Sequence, residues 1–162
     1  MLIIAPTARV SPLADIEDST RGTRIVVGEG AVIDAFVKIK PVGGTADIII
    51  GPGSFINSGC VLYSGNGIRI GANVLIAANC TLAPTNHEYR DRARLIREQG
   101  FKPSKGGIVI EDDVWIGANS VLLDGAVVRR GCVVGAGSIV RNELPEYSIS
   151  AGVPARTVAW RS

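Results

Sequence analysis

Along most of this chain of 162 residues, an aliphatic residue returns at every sixth position. A weak start at Ile4, Val10 and Ile16 leads into the series Val27, Ile33, Ile39, Ile50, Ile56, Leu62, Ile70, Ile76, Leu82, Ile110, Ile116, Leu122, Val128, Val134 and Val140. A period of six matches neither the 3.6-residue turn of an α-helix nor the two-residue alternation of a strand. It predicts an all-β solenoid whose coils have three flat sides, with the aliphatic side chains inside and the coils stacked about 4.8 Å apart.

The residues around this repeat fit a narrow core. The fifth residue of each hexad is usually small or β-branched, and this position includes all three cysteines, Cys60, Cys80 and Cys132. Hydrophobic residues make up 46% of the chain but aromatic residues only 5%, so small aliphatic side chains fill the interior. We therefore expect about six coils, with the cysteines as buried, reduced thiols.

The repeat is interrupted in three places and ends before the chain does. The longest interruption, residues 86–107, is expected to protrude as a loop, and shorter ones at residues 41–49 and 68–69 are expected to bulge outward. After Pro145 the repeat stops. The sequence thus predicts a β-helix domain over residues 1–145, with the protruding loop, and a tail over residues 146–162 that caps the open end of the solenoid.

Charge and hydropathy argue against several classes of function. The net charge of +2 is too small to favour nucleic acid or a membrane surface as a partner. No apolar run approaches the roughly 18 residues of a transmembrane helix, and the first residues lack the features of a signal peptide. The cysteine spacing does not suggest a metal site. We expect a cytoplasmic protein that binds no nucleic acid, does not insert into membranes and holds no metal.

The long loop contains His87, the only histidine of the chain. A neutral imidazole near pH 7 can take a proton from an attacking group, which makes His87 a candidate general base. The alternative is a polar residue at the mouth of an ordinary loop. Six basic residues follow, among them Arg90 and Arg97. They are either solvated side chains or contacts for an acidic acceptor such as a sugar phosphate or a uronic acid.

Five further stretches stand out, namely FINSGCVL (55–62), NHEYR (86–90), DDVWIGANSVLLDGAVV (112–128), VGAGSIV (134–140) and AGVPAR (151–156). Together they resemble the hexapeptide-repeat acetyltransferases, in particular the galactoside, maltose and polysaccharide O-acetyltransferases. The resemblance covers nearly the whole chain. It implies a left-handed parallel β-helix, acetyl-CoA as co-substrate, and a homotrimer with active sites between subunits.

The resemblance also implies roles for individual residues. His87 matches the catalytic histidine of the family, and Asn57 matches an asparagine that helps to hold the acceptor; Arg90 and Arg97 are candidates for further acceptor contacts. The residues at coenzyme-binding positions are Trp115, Ala118, Ala136, Gly137, Ser138 and, where the sugar enzymes have a Thr-Lys pair nearby, Arg141. In the six-residue register, His87 lies at the corner that ends the third side of a coil, and Asn57 lies just past the corner after the first side, roughly 15 Å away. A shared site would therefore need two subunits.

The leading hypothesis is acetyl transfer from acetyl-CoA to a sugar hydroxyl of a surface-polysaccharide precursor, by direct attack. N-acetylation of an aminosugar nucleotide by the same machinery is the alternative. A zinc enzyme resembling the γ-class carbonic anhydrases would need three histidines and is rejected. A non-catalytic scaffold remains open, and it would bind no coenzyme A.

Overall fold

A computed structural model describes residues 1–162. The chain forms a left-handed parallel β-helix with a triangular cross-section, which confirms the predicted fold class. One short helix, α1 (Ile96–Gln99), lies in the protruding loop. No helix has the length and apolar character needed to cross a membrane.

Each of the six coils contributes three strands. The first three coils contain β1 (Leu2–Ile4), β2 (Arg9–Val10), β3 (Asp15–Ile16), β4 (Ile25–Val27), β5 (Val32–Ile33), β6 (Lys38–Lys40), β7 (Ile48–Ile50), β8 (Phe55–Ile56) and β9 (Val61–Tyr63). The next three contain β10 (Ile68–Ile70), β11 (Leu75–Ile76), β12 (Thr81–Ala83), β13 (Ile108–Ile110), β14 (Trp115–Ile116), β15 (Val121–Leu123), β16 (Val127–Val128), β17 (Val133–Val134) and β18 (Ile139–Val140). The chain ends with β19 (Glu143–Leu144), β20 (Ser148–Gly152) and β21 (Ala155–Trp160).

Strands three apart in the sequence are neighbours in space. Sheet A has the order β1-β4-β7-β10-β13-β16-β19, sheet B the order β2-β5-β8-β11-β14-β17-β20-β21, and sheet C the order β3-β6-β9-β12-β15-β18. The parallel pairs are in register, so that Ile76 has Ile56 and Ile116 as direct partners. Equivalent residues of successive coils are therefore stacked, which explains the six-residue period.

The predicted aliphatic series forms the core. Every member from Val27 to Val140 is at most 2% exposed, whereas Ile4 in the terminal coil is 40% exposed. Sheet A buries a second residue in four of its strands, for example Ile68 in β10. The expected bulge at residues 68–69 was therefore wrong: Ile68 and Arg69 pair with β7 and β13, because the extra residues widen sheet A.

The small residues of the repeat lie at the corners of the prism, and Cys60, Cys80, Ser120 and Ser138 line the corner between sheets B and C. In four successive coils the residue before the small position has φ between 60° and 72°; these residues are Gly59, Asn79, Asn119 and Gly137. Glycine and asparagine tolerate this left-handed conformation, which lets the chain turn sharply. The sequence therefore specifies the corner as well as the core.

The cysteines are all buried and unpaired. Cys60 and Cys80 point to backbone carbonyl oxygens of the next coil, at 3.1 Å from Ala77 and 3.3 Å from Gly117. Hydrogen bonding with the Cys80 thiol, together with burial, raises the pKa of Cys60. A buried thiol that stays protonated is a packing group rather than a nucleophile.

The last strands extend the solenoid and then cover one of its edges. β20 pairs in parallel with β17, so sheet B continues into the predicted tail. β21 then folds back on β20 in the antiparallel direction. The interpretation of residues 146–162 as a separate cap stays a prediction.

The tight stacking of corners predicts a steric effect at Gly51. A β-carbon there would overlap the carbonyl oxygens of Gly71 and Ile70 in the next coil. We expect Gly51→Ala to lower the free energy of unfolding in urea by about 2 to 3 kcal/mol, as overpacking does. The control is Gly30→Ala, where a β-carbon meets nothing within 4 Å and φ is +64°; its cost is about 1 kcal/mol, from backbone strain alone. Equal losses would show that the corner can relax.

Candidate active site

The chain leaves the solenoid after β12 in sheet C and returns at β13 in sheet A. Two backbone hydrogen bonds close the base of the loop, from Glu88 N–H to the Gly100 carbonyl (2.9 Å) and from Lys102 N–H to the Asn86 carbonyl (2.8 Å). Between them lies an antiparallel bridge that involves His87. The predicted protruding loop is confirmed, and its base is a short two-stranded stalk.

His87 lies on this stalk with its side chain exposed. Its ring packs against Phe101, with ring centroids 4.8 Å apart and ring planes at 43°. This contact restricts the imidazole to part of its rotational range. The ring nitrogens form no hydrogen bond within the chain, so the imidazole is oriented by Phe101 and has no polar partner.

A buried carboxylate fixes the returning end of the loop. Asp124, directly after β15, is 3% exposed, and its oxygens accept hydrogen bonds from the N–H groups of Lys105 (2.8 Å) and Gly107 (2.9 Å). A carboxylate is buried at little cost only when such bonds satisfy it. Sequence reasoning missed this residue. One indication was available in the sequence. Asp124 is acidic, whereas the residues at the equivalent position after β9 and β12 are the uncharged Ser64 and Pro84.

Local contacts order the residues after His87. The Glu88 carboxylate accepts hydrogen bonds from the backbone N–H groups of Tyr89 (2.8 Å) and Arg90 (3.1 Å). These bonds lower the pKa of Glu88, so its charge is stabilised by the loop backbone. The Lys102 ammonium lies 3.6 Å from the centre of the Tyr89 ring, a cation–π contact across the stalk.

The far half of the loop is held by its own polar contacts. The Gln99 side chain donates to the Asp91 carbonyl (2.8 Å) and accepts from the Asp91 N–H (3.1 Å). Around this clamp, the predicted acceptor residues Arg90 and Arg97 are exposed. Neither of them forms an ion pair within the chain, so their guanidinium groups are available to an anionic ligand.

A recess of about 280 Å³ lies between the loop and the solenoid. Its walls include Lys102, Lys105 and the predicted coenzyme residue Arg141. Asp124 also lines it, but both of its oxygens are bound to backbone amides. Three cationic side chains around one recess suit a phosphate group.

Other predicted coenzyme residues lie at the corner between sheets B and C. The Gly137 N–H donates to the Ala118 carbonyl (2.8 Å), and Ala136 is exposed beside them. Ser138 is fully buried, and its hydroxyl donates to the Gly135 carbonyl (2.6 Å). The Ser138 hydroxyl is therefore not available to a ligand, whereas the exposed part of this turn at Ala136 and Gly137 is.

Trp115 occupies a third location. It lies within β14 on the outer face of sheet B, where its partners are Leu75 and Val133, and its side chain is 52% exposed. With Arg161 it lines a hollow of about 270 Å³. The structure therefore places Trp115 and Arg141 on different sides of the prism, separated by sheet C.

One chain does not bring Asn57 and His87 together. The register placed Asn57 one corner too early: it follows β8 at the corner between sheets B and C, where its side-chain amide donates to the Ile76 carbonyl (3.2 Å). His87 follows β12 at the corner between sheets C and A. One side of the prism, about five extended residues, separates the two corners by roughly 15 Å.

This geometry defines a hexapeptide-repeat solenoid with a histidine at the base of its loop. The family model described as "Bacterial transferase hexapeptide (six repeats)" matches residues 107–142, and the model "Hexapeptide repeat of succinyl-transferase" matches residues 47–84. A hexapeptide-repeat acetyltransferase from Vibrio cholerae, solved with acetyl coenzyme A, is 33% identical with a TM-score of 0.71, over 87% of this chain and 72% of that one. The chain belongs to the hexapeptide-repeat acetyltransferase family.

Two further comparisons place the chain within this group of folds. Galactoside O-acetyltransferase from Escherichia coli is 35% identical over 113 residues, which is 70% of this chain and 54% of that enzyme. A variant of an N-acyltransferase from Bacillus cereus, solved with dTDP and coenzyme A, has a TM-score of 0.82 at 23% identity, over 98% of this chain and 84% of that one; at this identity the likeness concerns the fold. The chain spans about half the length of the galactoside enzyme and 31% of another curated relative.

The role of Asp124 can be tested by its removal. Asp124→Ala leaves the N–H groups of Lys105 and Gly107 without their acceptor, and we expect a loss of about 1 to 3 kcal/mol in unfolding free energy. Trypsin should then cleave the arginine-rich loop faster in the native protein. Asp124→Asn keeps one acceptor oxygen and should show a smaller effect in both measurements. If the alanine variant resists trypsin as well as the unmodified protein, Asp124 does not hold the loop.

Proposed function

We propose that this protein transfers an acetyl group from acetyl-CoA to a hydroxyl of a sugar that belongs to a surface-polysaccharide precursor. The observation that carries the proposal is His87, an oriented and unbonded imidazole at the base of the long loop where the chain leaves the solenoid. A putative lipopolysaccharide biosynthesis O-acetyltransferase from Escherichia coli, 29% identical over 85% of this chain, supports the choice of acceptor. A cytoplasmic location is part of the proposal.

In this mechanism His87 acts as the general base. Its imidazole takes the proton of the acceptor hydroxyl while the oxygen attacks the thioester carbonyl. The tetrahedral intermediate collapses with cleavage of the carbon–sulfur bond, and the coenzyme A sulfur leaves and takes up the proton. Backbone N–H groups of the corner turns are the donors available to the oxyanion. No cysteine takes part, because all three thiols are buried.

The coenzyme would lie across the outer face of sheet C. Ala118, Ala136 and Gly137 border this face at one corner, and Arg141 borders it at the other. The exposed turn allows the pantetheine arm to approach the backbone closely. The recess of Lys102, Lys105 and Arg141 supplies positive charge for phosphate groups. Trp115, around the corner on sheet B, would form a wall of the same cleft.

A second subunit would complete each site. Asn57 and His87 lie at different corners of one chain, so both contact one acceptor only if they come from neighbouring subunits of a cyclic trimer. The loop supports this arrangement, because Tyr89, Leu95, Ile96 and Phe101 are each more than half exposed. Exposed apolar side chains concentrated on one loop are typical of an interface.

N-acetylation of an aminosugar nucleotide is the second candidate. Arg90 and Arg97 favour it, because unpaired guanidinium groups on the same loop as His87 would bind a pyrophosphate. An acceptor screen with acetyl-CoA separates the candidates by measuring release of free thiol with simple sugars, nucleotide-linked aminosugars and serine. Calorimetric titration with coenzyme A tests a third possibility, since a non-catalytic scaffold would show no binding.

The proposed base gives the first kinetic prediction. His87→Ala should lower turnover by about 100- to 10,000-fold, as loss of a general base does, while the unfolding transition and coenzyme A binding stay unchanged. Arg92→Ala is the matched control, because it truncates an exposed side chain of the same loop and should keep full activity. Near-normal turnover of the His87 variant would remove this residue from the mechanism.

The shared site gives a complementation prediction. Trimers of His87→Ala and of Asn57→Ala should each be nearly inactive, but an equal mixture, unfolded and refolded together, should regain about a quarter of the unmodified activity. About three-quarters of random trimers are mixed, and each mixed trimer has one intact site of three.

The matched control mixes the His87→Ala chain with a chain that has both substitutions. Every site in this mixture lacks the imidazole, so no activity should return. If the first mixture also stays inactive while native mass spectrometry shows mixed trimers, the two residues do not share a site between subunits.

A further inference from the structure

Phe36 occupies a corner position where the later coils have glycine or asparagine. It has φ of 62° at the corner between sheets B and C, where the equivalent residues of later coils are Gly59, Asn79 and Asn119. A bulky residue in this left-handed region is a conformational outlier, because its β-carbon crowds the backbone. Such outliers concentrate at functional sites.

Packing within the chain does not account for this residue. The Phe36 side chain is 63% exposed, so burial of the ring does not offset the unfavourable backbone conformation. Its backbone N–H donates to the Leu13 carbonyl (3.1 Å), a bond that any residue with an N–H would form. The ring itself is presented to solvent.

Phe36 lies beside the residue that the proposed function assigns to the acceptor. Ile33 pairs with Ile56, so Asp34 is stacked directly on Asn57 in the next coil, at the strand spacing of about 4.8 Å. Phe36 follows Asp34 by two residues in the same turn. An acceptor held at Asn57 would therefore extend over Asp34 and reach the ring.

The surface next to Asp34 is a shallow recess of about 290 Å³. Val32 and Phe55 form its apolar part, and Arg9 and Asp34 supply charged groups. The Asp34 carboxylate uses one oxygen to accept the Ala35 N–H (2.7 Å), which leaves the other for a ligand. Small-molecule sites are typically apolar hollows of roughly 300 Å³ or more with a few placed polar groups.

We propose that Phe36 and Asp34 form a second acceptor subsite, which binds the sugar ring next to the one held at Asn57. The proposal rests on the proposed function, sugar acetylation. A pyranose offers C–H groups on one face, which pack on an aromatic ring, and hydroxyls at its edge, which donate to a carboxylate. Two stacked coils thus recognise two linked sugars, and the natural acceptor is an oligosaccharide rather than a single sugar.

The test compares disaccharide and monosaccharide acceptors. The probes are lactose against galactose and maltose against glucose, with acetyl-CoA as donor. The unmodified protein should have a KM for the disaccharide about 10-fold below that for the monosaccharide. Phe36→Asn, which puts at this corner the residue found at Asn79 and Asn119, should raise the disaccharide KM to about the monosaccharide value. Phe36→Trp keeps an aromatic ring and should retain the preference.

Two controls distinguish a binding role from a structural one. Leu13→Ser alters the exposed residue of the same corner one coil further from Asn57, and it should keep the disaccharide preference. Phe36→Asn should unfold at an equal or higher urea concentration, because asparagine tolerates φ of 62° better than phenylalanine.

Each other result counts against the subsite. A preference that survives Phe36→Asn overturns it, and so does a Phe36→Asn protein that loses stability or dissociates into smaller assemblies, because the ring then serves packing. If the unmodified protein binds acetyl-CoA but acetylates none of the four sugars, sugar acetylation fails and the subsite fails with it. Transfer with equal KM values for both sugar lengths leaves the function intact and overturns the subsite alone.

Discussion

Each coil of this protein can bury its aliphatic side chains only by stacking in register on the next coil. The row Ile56, Ile76 and Ile116 shows this, because each side chain lies above its equivalent and is fully buried. Burial of one such side chain contributes roughly 1.5 to 3 kcal/mol, but an isolated coil would leave both of its edges open. Stability therefore accumulates along the stack, and the chain must return to the same three corners in every coil.

The long loop is compatible with this constraint because it interrupts the chain without interrupting the stack. β13 pairs with β10 as if no residues had been inserted between them, with Ile110 opposite Ile70. Asp124, directly after β15, accepts hydrogen bonds from the backbone of the segment that returns to the solenoid. The carboxylate thus positions the chain just before β13, where a long insertion could otherwise shift the pairing with β10. The same contact keeps the stalk that bears His87 at a fixed place on the solenoid.

The sequence predicted the fold well, because its six-residue period results directly from the stacking of equivalent residues in successive coils. The buried series, the six coils and the loop followed from residue spacing and from the resemblance. Spacing did not predict that sheet A buries both ends of its strands, which is why residues 68–69 were misplaced. It also missed Asp124, whose partners Lys105 and Gly107 lie 19 and 17 residues away. Hydrogen bonds between residues so far apart in the sequence depend on the path of the folded chain, and they produce no repeating pattern in the sequence.

The regular spacing also limits how a site between subunits could be built. Hydrogen bonds require heavy atoms about 3 Å apart, whereas neighbouring coils are about 4.8 Å apart. If one subunit slipped by a single coil against its neighbour, an acceptor held at Asn57 would move out of reach of His87. A flat, repetitive face does little to prevent such a slip, because each coil presents nearly the same surface to the neighbouring subunit. A feature that occurs once per chain is needed to fix the alignment, and the arginine-rich loop with its exposed apolar residues is such a feature. On this argument His87 lies on the loop because the loop would fix its position relative to the neighbouring subunit.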